Sequence, residues 1–133
     1  MGTFTFPVRV YWEDTDAGGV VYHASYLRFM ERARSEWLRA LGIDQAALIR
    51  DERLQFVVVE AQIRYHRPAR YDDELQVSVV VTERGRASWT MAQEIRRTSP
   101  AGELLVSATI RAACLDSESL KPRPLPASLL ANS

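Results

Sequence analysis

The stretch YLRFMERARSEWLRALG, residues 26–42, places apolar side chains at Tyr26, Leu27, Met30, Ala33, Trp37 and Leu41. This three-to-four spacing is one face of a helix, and Gly42 stands at the C′ position, where a left-handed residue closes a helix. Asp44 then serves as the cap of a second, short helix, with Ile43 and Leu48 in staple register and an end near Arg53. Beyond Arg53 the helical period disappears and period-two alternation takes over, in runs bounded by turn residues. The first run spans about Gln55 to Arg67, with Val57, Val59, Ala61, Ile63 and Tyr65 on one face. The second carries Leu75, Val77, Val79 and Val81. Gly85 turns the chain into Ala87, Trp89, Met91 and Ile95, and Ser99–Gly102 turns it into Leu104, Val106, Ala108, Ile110, Ala112 and Cys114. Upstream of the helix, Phe4, Phe6, Val8, Val10 and Trp12 alternate as a further strand, whose Pro7, lacking an N–H, suits an edge or a bulge. Strand, long helix, short helix and four strands predict an α+β fold, with the helices on one side of an antiparallel sheet. Residues 117–133, with Pro122, Pro124 and Pro126, read as an irregular tail.

A length of 133 residues suits a single domain, 1–133, with one core. The 17 basic residues cancel the 17 acidic ones, so no net field attracts a polyanion and a nucleic-acid partner is not expected. Cys114 is the only cysteine, which excludes an intrachain disulfide and a multi-cysteine metal cage and fits a reducing compartment. The first residues, MGTFTFPVRVYWEDTD, lack the basic and apolar regions of a signal peptide, and no apolar run approaches the roughly 20 residues that span a bilayer. A cytoplasmic protein without membrane insertion is the expectation. Several strands carry apolar residues on both faces, as at Val57–Val59 and Val79–Val81, which favours homo-oligomerisation.

The chemistry is expected between Glu13 and His23, where the chain is delivered to the helix start. Glu13, Asp14 and Asp16 precede Gly18 and Gly19. Glycines let a ligand approach the backbone, and the first N–H groups of a helix lack intrahelical partners, so they are available to a carbonyl oxygen that gains negative charge. A carboxylate beside such donors suits acyl transfer, by attacking the acyl carbon or by taking a proton from water, with His23 sharing in that transfer. The plainer roles stay open: Asp16 as a helix cap, His23 as a satisfied polar residue. A calcium loop starting at Asp14 fails, since its twelfth position is Ser25. An aspartyl-phosphate phosphatase needs a parallel sheet with alternating helices, which the strands after Arg53 do not provide.

YWEDTDAGGVVYHASYLRFMERARSEWLRALG (11–42) resembles the motif region of the hotdog-fold acyl-CoA thioesterases. Within them it is similar to the 4-hydroxybenzoyl-CoA thioesterase-like group and its YbgC-type, Tol-Pal-associated branch. FVVVEAQIRYHRPARYDDEL (56–75) is similar to the same branch. The resemblance implies a long helix wrapped by a curved five-stranded antiparallel sheet, a homodimer or homotetramer, and no metal or other cofactor. It places the catalytic carboxylate on Asp16 and the carbonyl-polarising backbone N–H at or near His23, whose side chain matches the histidine of the YbgC-type branch. Gly19, Val20 and Tyr26 match the motif positions that shape the acyl site.

Arg64, Arg67 and Arg70 are candidates for the phosphates of coenzyme A, or else solvated surface. Arg34 falls inside the apolar stripe of the long helix, where it snorkels past the sheet edge or pairs with a carboxylate such as Asp14 or Glu60. Glu31 is expected at the stripe's flank or in solvent rather than in a catalytic role. The functional expectation is hydrolysis of an acyl-CoA thioester. The alternatives are a noncatalytic acyl-CoA or acyl-carrier-protein binding protein with an envelope-associated partner, and a hotdog dehydratase or hydratase.

Overall fold

The structure is a computed structural model that describes residues 2–132. Its elements in chain order are β1 (Phe4–Arg9), α1 (Ser25–Ala40), α2 (Gln45–Glu52), β2 (Leu54–Tyr65), β3 (Glu74–Arg84), β4 (Ser88–Arg97), β5 (Leu104–Asp116) and α3 (Ala127–Asn132). The five strands form one sheet in the order β1-β3-β4-β5-β2, antiparallel throughout. Pro7 therefore lies on an edge strand, as its missing donor requires. Helix α1 lies across one face of this sheet and buries Phe29, Met30, Ala33 and Trp37 against Leu75, Val77, Val79, Met91, Ile95 and Ile110. Gly42 follows the helix with φ +83°, and Asp44 Oδ1 accepts the Ala47 N–H to cap α2. Arg53 closes α2 in the left-handed region.

Several details differ from the sequence expectation. On α1, Phe29 and Leu38 are buried and Leu27 is exposed, because the buried stripe runs through 26, 29, 30, 33, 37 and 38. Strand β1 ends at Arg9, and Trp12 does not continue it inward: the chain turns through a short 3-10 segment, and the exposed indole stacks on Tyr71 at 3.5 Å between ring centroids. In β2 a bulge between Val58 and Glu60 shifts the register against β5. Val59 is the extra residue, so Phe56 and Val58, not Val57 and Val59, share a face with Ala61, Ile63 and Tyr65. In β5 a register shift opposite Ile95 and Arg96 places Leu105 in the core instead of Leu104. The tail is not wholly irregular: α3 is helical, and Leu125 and Leu129 close the core beside Cys114, whose thiol pKa is pushed up by burial.

A polar network inside the core centres on Gln93. Gln93 occupies an inward position on β4; its Nε2 donates to the Met30 and Ser78 carbonyls, and its Oε1 accepts from Arg34 at 2.9 Å. Arg34 thus finds neither Asp14 nor Glu60; burial lowers its pKa. Trp89 stands in the same region with a buried Nε1–H that has no acceptor among the described residues.

Gly102 has no room for a side chain, since a Cβ there would stand 1.9 Å from the Arg97 carbonyl oxygen. Gly102→Ala must displace backbone of the β4–β5 turn and is expected to destabilise the protein by about 1–3 kcal/mol. Denaturant unfolding measures this; an unchanged midpoint would contradict the packing described.

Candidate active site

The loop from Val10 to Ser25 is built around Asp14, the one buried carboxylate among the described residues. Its Oδ2 accepts the Tyr11 N–H at 2.9 Å, and its carbonyl accepts the Tyr22 N–H at 2.8 Å and the Ser25 hydroxyl at 3.3 Å. Arg28 lies 3.7 Å from its Oδ1. These bonds consume Asp14 and assign it to holding the loop.

Asp16 is exposed instead. The Gly19 N–H donates to its carbonyl and its own N–H donates to the Val20 carbonyl, so the chain reverses tightly around it. Gly19 adopts φ +83° in that reversal, a backbone conformation that a side chain would strain. The Gly18 N–H donates to Asp16 Oδ1 at 2.8 Å and orients the carboxylate, while Oδ2 has no donor among the described residues. Gly18 was not singled out from sequence for this role. The signal was the spacing Asp-x-Gly, in which a carboxylate caps the N–H two residues on.

Bridges of Val21 to Thr15 and of Val20 to Arg70, with the Val21 N–H on the Ala69 carbonyl, tie the loop to the segment before β3. Downstream, α1 begins without a capping side chain. The N–H groups of His23 and Ala24 have no acceptor among the described residues, as expected where a chain enters a helix. The His23 ring is exposed and lies against Tyr22 at 4.5 Å and edge-on to Tyr65 at 6.5 Å, and the Tyr65 hydroxyl donates to the His23 carbonyl at 3.1 Å. Tyr65 was read only as a strand residue; a contact across 42 positions leaves no local signal.

The other candidates divide. Gly19 and Val20 belong to the Asp16 turn, and Arg70 is paired with Val20, its side chain exposed and without an ion pair among the described residues. Tyr26 is buried beneath Tyr65; its hydroxyl accepts the Ala69 N–H at 3.0 Å, and burial raises its pKa. Arg67 is paired with Glu103 at 3.1 Å. Arg64 stands apart, opposite Ser107 on the sheet face away from α1. The Asp16 carboxylate and the His23 imidazole are not hydrogen-bonded to each other. Glu31 is exposed and accepts from Ser35, consistent with a place outside the core stripe. No helix of the described residues is long and apolar enough to cross a membrane.

The arrangement is thus an exposed, oriented carboxylate and two unpartnered amides brought near one helix start. Residues 10–132 match the model of the thioesterase-like superfamily. The chain is 46% identical over 128 residues to the acyl-CoA thioester hydrolase YbgC of Escherichia coli, covering 96% of this chain and 93% of that protein. Among solved structures, a probable thioesterase from Bartonella henselae superposes with a TM-score of 0.87 at 39% identity, over 94% of this chain and 100% of that one. A 1,4-dihydroxy-2-naphthoyl-CoA thioesterase from Synechocystis superposes with a TM-score of 0.88 at 29% identity, over 97% and 93%. With a five-stranded antiparallel sheet carrying one long helix, and with these matches along nearly its whole length, the chain belongs to the thioesterase-like superfamily and has the hotdog fold.

Proposed function

We propose that this thioesterase hydrolyses an acyl-CoA thioester to the free acid and coenzyme A, with Asp16 as the catalytic carboxylate. The observation that carries the reading is the Asp16 carboxylate itself, held at one oxygen by the Gly18 N–H and open at the other, in a loop that leads to the free amides of His23 and Ala24. Those amides polarise the thioester carbonyl and stabilise the oxyanion that forms as the carbon is attacked. Asp16 either attacks that carbon, giving an anhydride that water then opens, or removes a proton from the attacking water. In both cases a C–O bond replaces the C–S bond and the departing thiolate takes up a proton, with the His23 imidazole assisting the transfer. The name of the Escherichia coli relative supports coenzyme A as the carrier.

Gly19 and Val20 shape the mouth of the site, and Tyr26 supports it from below through Tyr65. Of the three arginines, Arg70 is the best placed for a phosphate, because it flanks Val20 and spends no charge on a carboxylate. Arg67 would have to share itself with Glu103, and Arg64 lies on the opposite face of the sheet. Thiol detection across a panel of acyl-CoA substrates tests the activity: the expected outcome is stoichiometric thiol and free acid. Binding without thiol release, or loss of an enoyl-CoA without thiol release, contradicts it.

The working form is a homodimer or homotetramer. The edge strand β2 exposes Val58 and Val59 at 48% and 50%, an apolar edge suited to a second copy. Sedimentation at micromolar concentration is expected to give a dimer or larger species. A stable, active monomer would contradict this.

A further inference from the structure

The segment between β2 and β3 belongs to no strand, so its polar groups are held by contacts from other parts of the chain. Residues 68–73 of this segment carry the hydrolytic loop on one side. The Val21 N–H donates to the Ala69 carbonyl, Val20 is bridged to Arg70, and the Val10 N–H donates to the Asp73 carbonyl. Val20 in turn accepts the Asp16 N–H on its own carbonyl. On the other side stands Arg97, the last residue of β4. Its Nη2 donates to the Pro68 carbonyl at 3.0 Å and its Nη1 to Asp73 Oδ2, so one guanidinium grips both ends of the segment. The same Oδ2 accepts the Arg70 N–H at 2.8 Å. Arg97 Nε is spent on Glu103 at 3.2 Å. Arg9 reaches one carbonyl of the segment, that of Asp72, and otherwise turns to Glu74.

A planar fork that meets two acceptors at once fixes the distance between them, which a single point charge does not. The side chains of Arg97 and Asp73 are 28% and 22% exposed, sheltered enough for the pair to outweigh an open surface bridge. We propose that Arg97 is a positioning residue for the hydrolytic reaction: its fork sets the shape of residues 68–73, and these set where the Asp16 carboxylate stands. The relay runs from Arg97 through the Asp73 carboxylate to the Arg70 N–H, across the bridge to Val20, and from the Val20 carbonyl to the Asp16 N–H. Arg97 itself touches no reacting atom. The proposal rests on Asp16 as the catalytic carboxylate and gives it a support from a strand far away in the sequence.

Amide hydrogen exchange and turnover, measured on the full chain and on Arg97→Ala and Arg97→Lys, test the proposal. Lysine keeps the charge beside Asp73 but reaches only one end of the segment, so this variant decides the matter if the alanine variant does not fold. In both variants the Val21 amide is expected to exchange at least about tenfold faster than in the wild type, with the amides of β4 moving less, the mark of local opening. Turnover is expected to fall by at least about tenfold with KM within about threefold, as when a reacting group is misplaced after the substrate has bound. Methylguanidinium below denaturing concentrations is expected to raise the turnover of Arg97→Ala by about threefold or more, and methylammonium is not, because only the first reproduces the fork. Guanidinium compounds weaken a fold, so a merely stabilising arginine would give the opposite response. Equal acceleration of Val21 and the β4 amides, an unmoved Val21 amide, variant turnover within about threefold of the wild type, or no response to methylguanidinium would each overturn the proposal. Absence of thiol release by the wild type itself would instead overturn the hydrolytic reading, and the exchange measurement, which needs no activity, tells the two failures apart.

Discussion

Asp16→Asn is expected to lower turnover by at least about 100-fold while the protein keeps its fold and assembly. The geometry separates chemistry from structure at this position. The carboxylate is exposed, and its single internal bond, from the Gly18 N–H to Oδ1, is one that the amide oxygen of asparagine also accepts. The turn around it is held by main-chain bonds from Gly19 and to Val20 that no side-chain change removes. What the amide lacks is the basicity and nucleophilicity that either route requires. Asp14→Asn, two residues away, is expected to behave in the opposite sense: its carboxylate is buried and bonded, so its loss registers first in unfolding. A folded Asp16→Asn enzyme within about threefold of wild-type turnover removes this residue from the chemistry.

His23→Ala is expected to lower turnover by about 100-fold, the contribution of a positioned proton-transfer group. The ring is exposed and makes aromatic contacts only with Tyr22 and Tyr65, and the Tyr65 hydroxyl reaches the His23 carbonyl, which the substitution preserves. The backbone N–H is preserved as well. The variant therefore divides the two contributions of this position: loss of turnover with unchanged circular dichroism and assembly belongs to the imidazole, and whatever activity remains belongs to the amide donors and Asp16. A well-folded variant that retains more than about a third of wild-type turnover leaves His23 acting through its main chain alone.

The sheet and its long helix were legible because both signals are periodic. Leu75, Val77, Val79 and Val81 alternate cleanly, Gly42 and Asp44 stand at the helix boundaries that their chemistry predicts, and α2 closes at Arg53, where the helical period stops. What periodicity does not carry is a change of register. The bulge at Val59 inverts the faces of β2, and nothing in the run of three valines marks which one is extra. Gln93 was passed over because a polar residue interrupts an apolar row; its partners, Arg34 and the Met30 and Ser78 carbonyls, come from other elements. Around the site, the resemblance named Asp16 and His23, while their supports were only partly visible. Gly18 was readable from the Asp-x-Gly spacing, but Tyr65 was not, because its contact with the His23 carbonyl spans 42 positions. The arginines illustrate the same point: three similar side chains within seven positions are separated by the fold into one flanking the loop, one paired with Glu103 and one on the far face.

The most direct test of hydrolysis at the helix start is a crystal structure of Asp16→Asn with an uncleaved acyl-CoA bound. The expected result places the thioester carbonyl oxygen about 2.7–3.1 Å from the N–H at His23 or Ala24, with the residue 16 side chain facing the acyl carbon. A thioester bound in full with its carbonyl away from these amides, and with residue 16 out of reach of the acyl carbon, would contradict it.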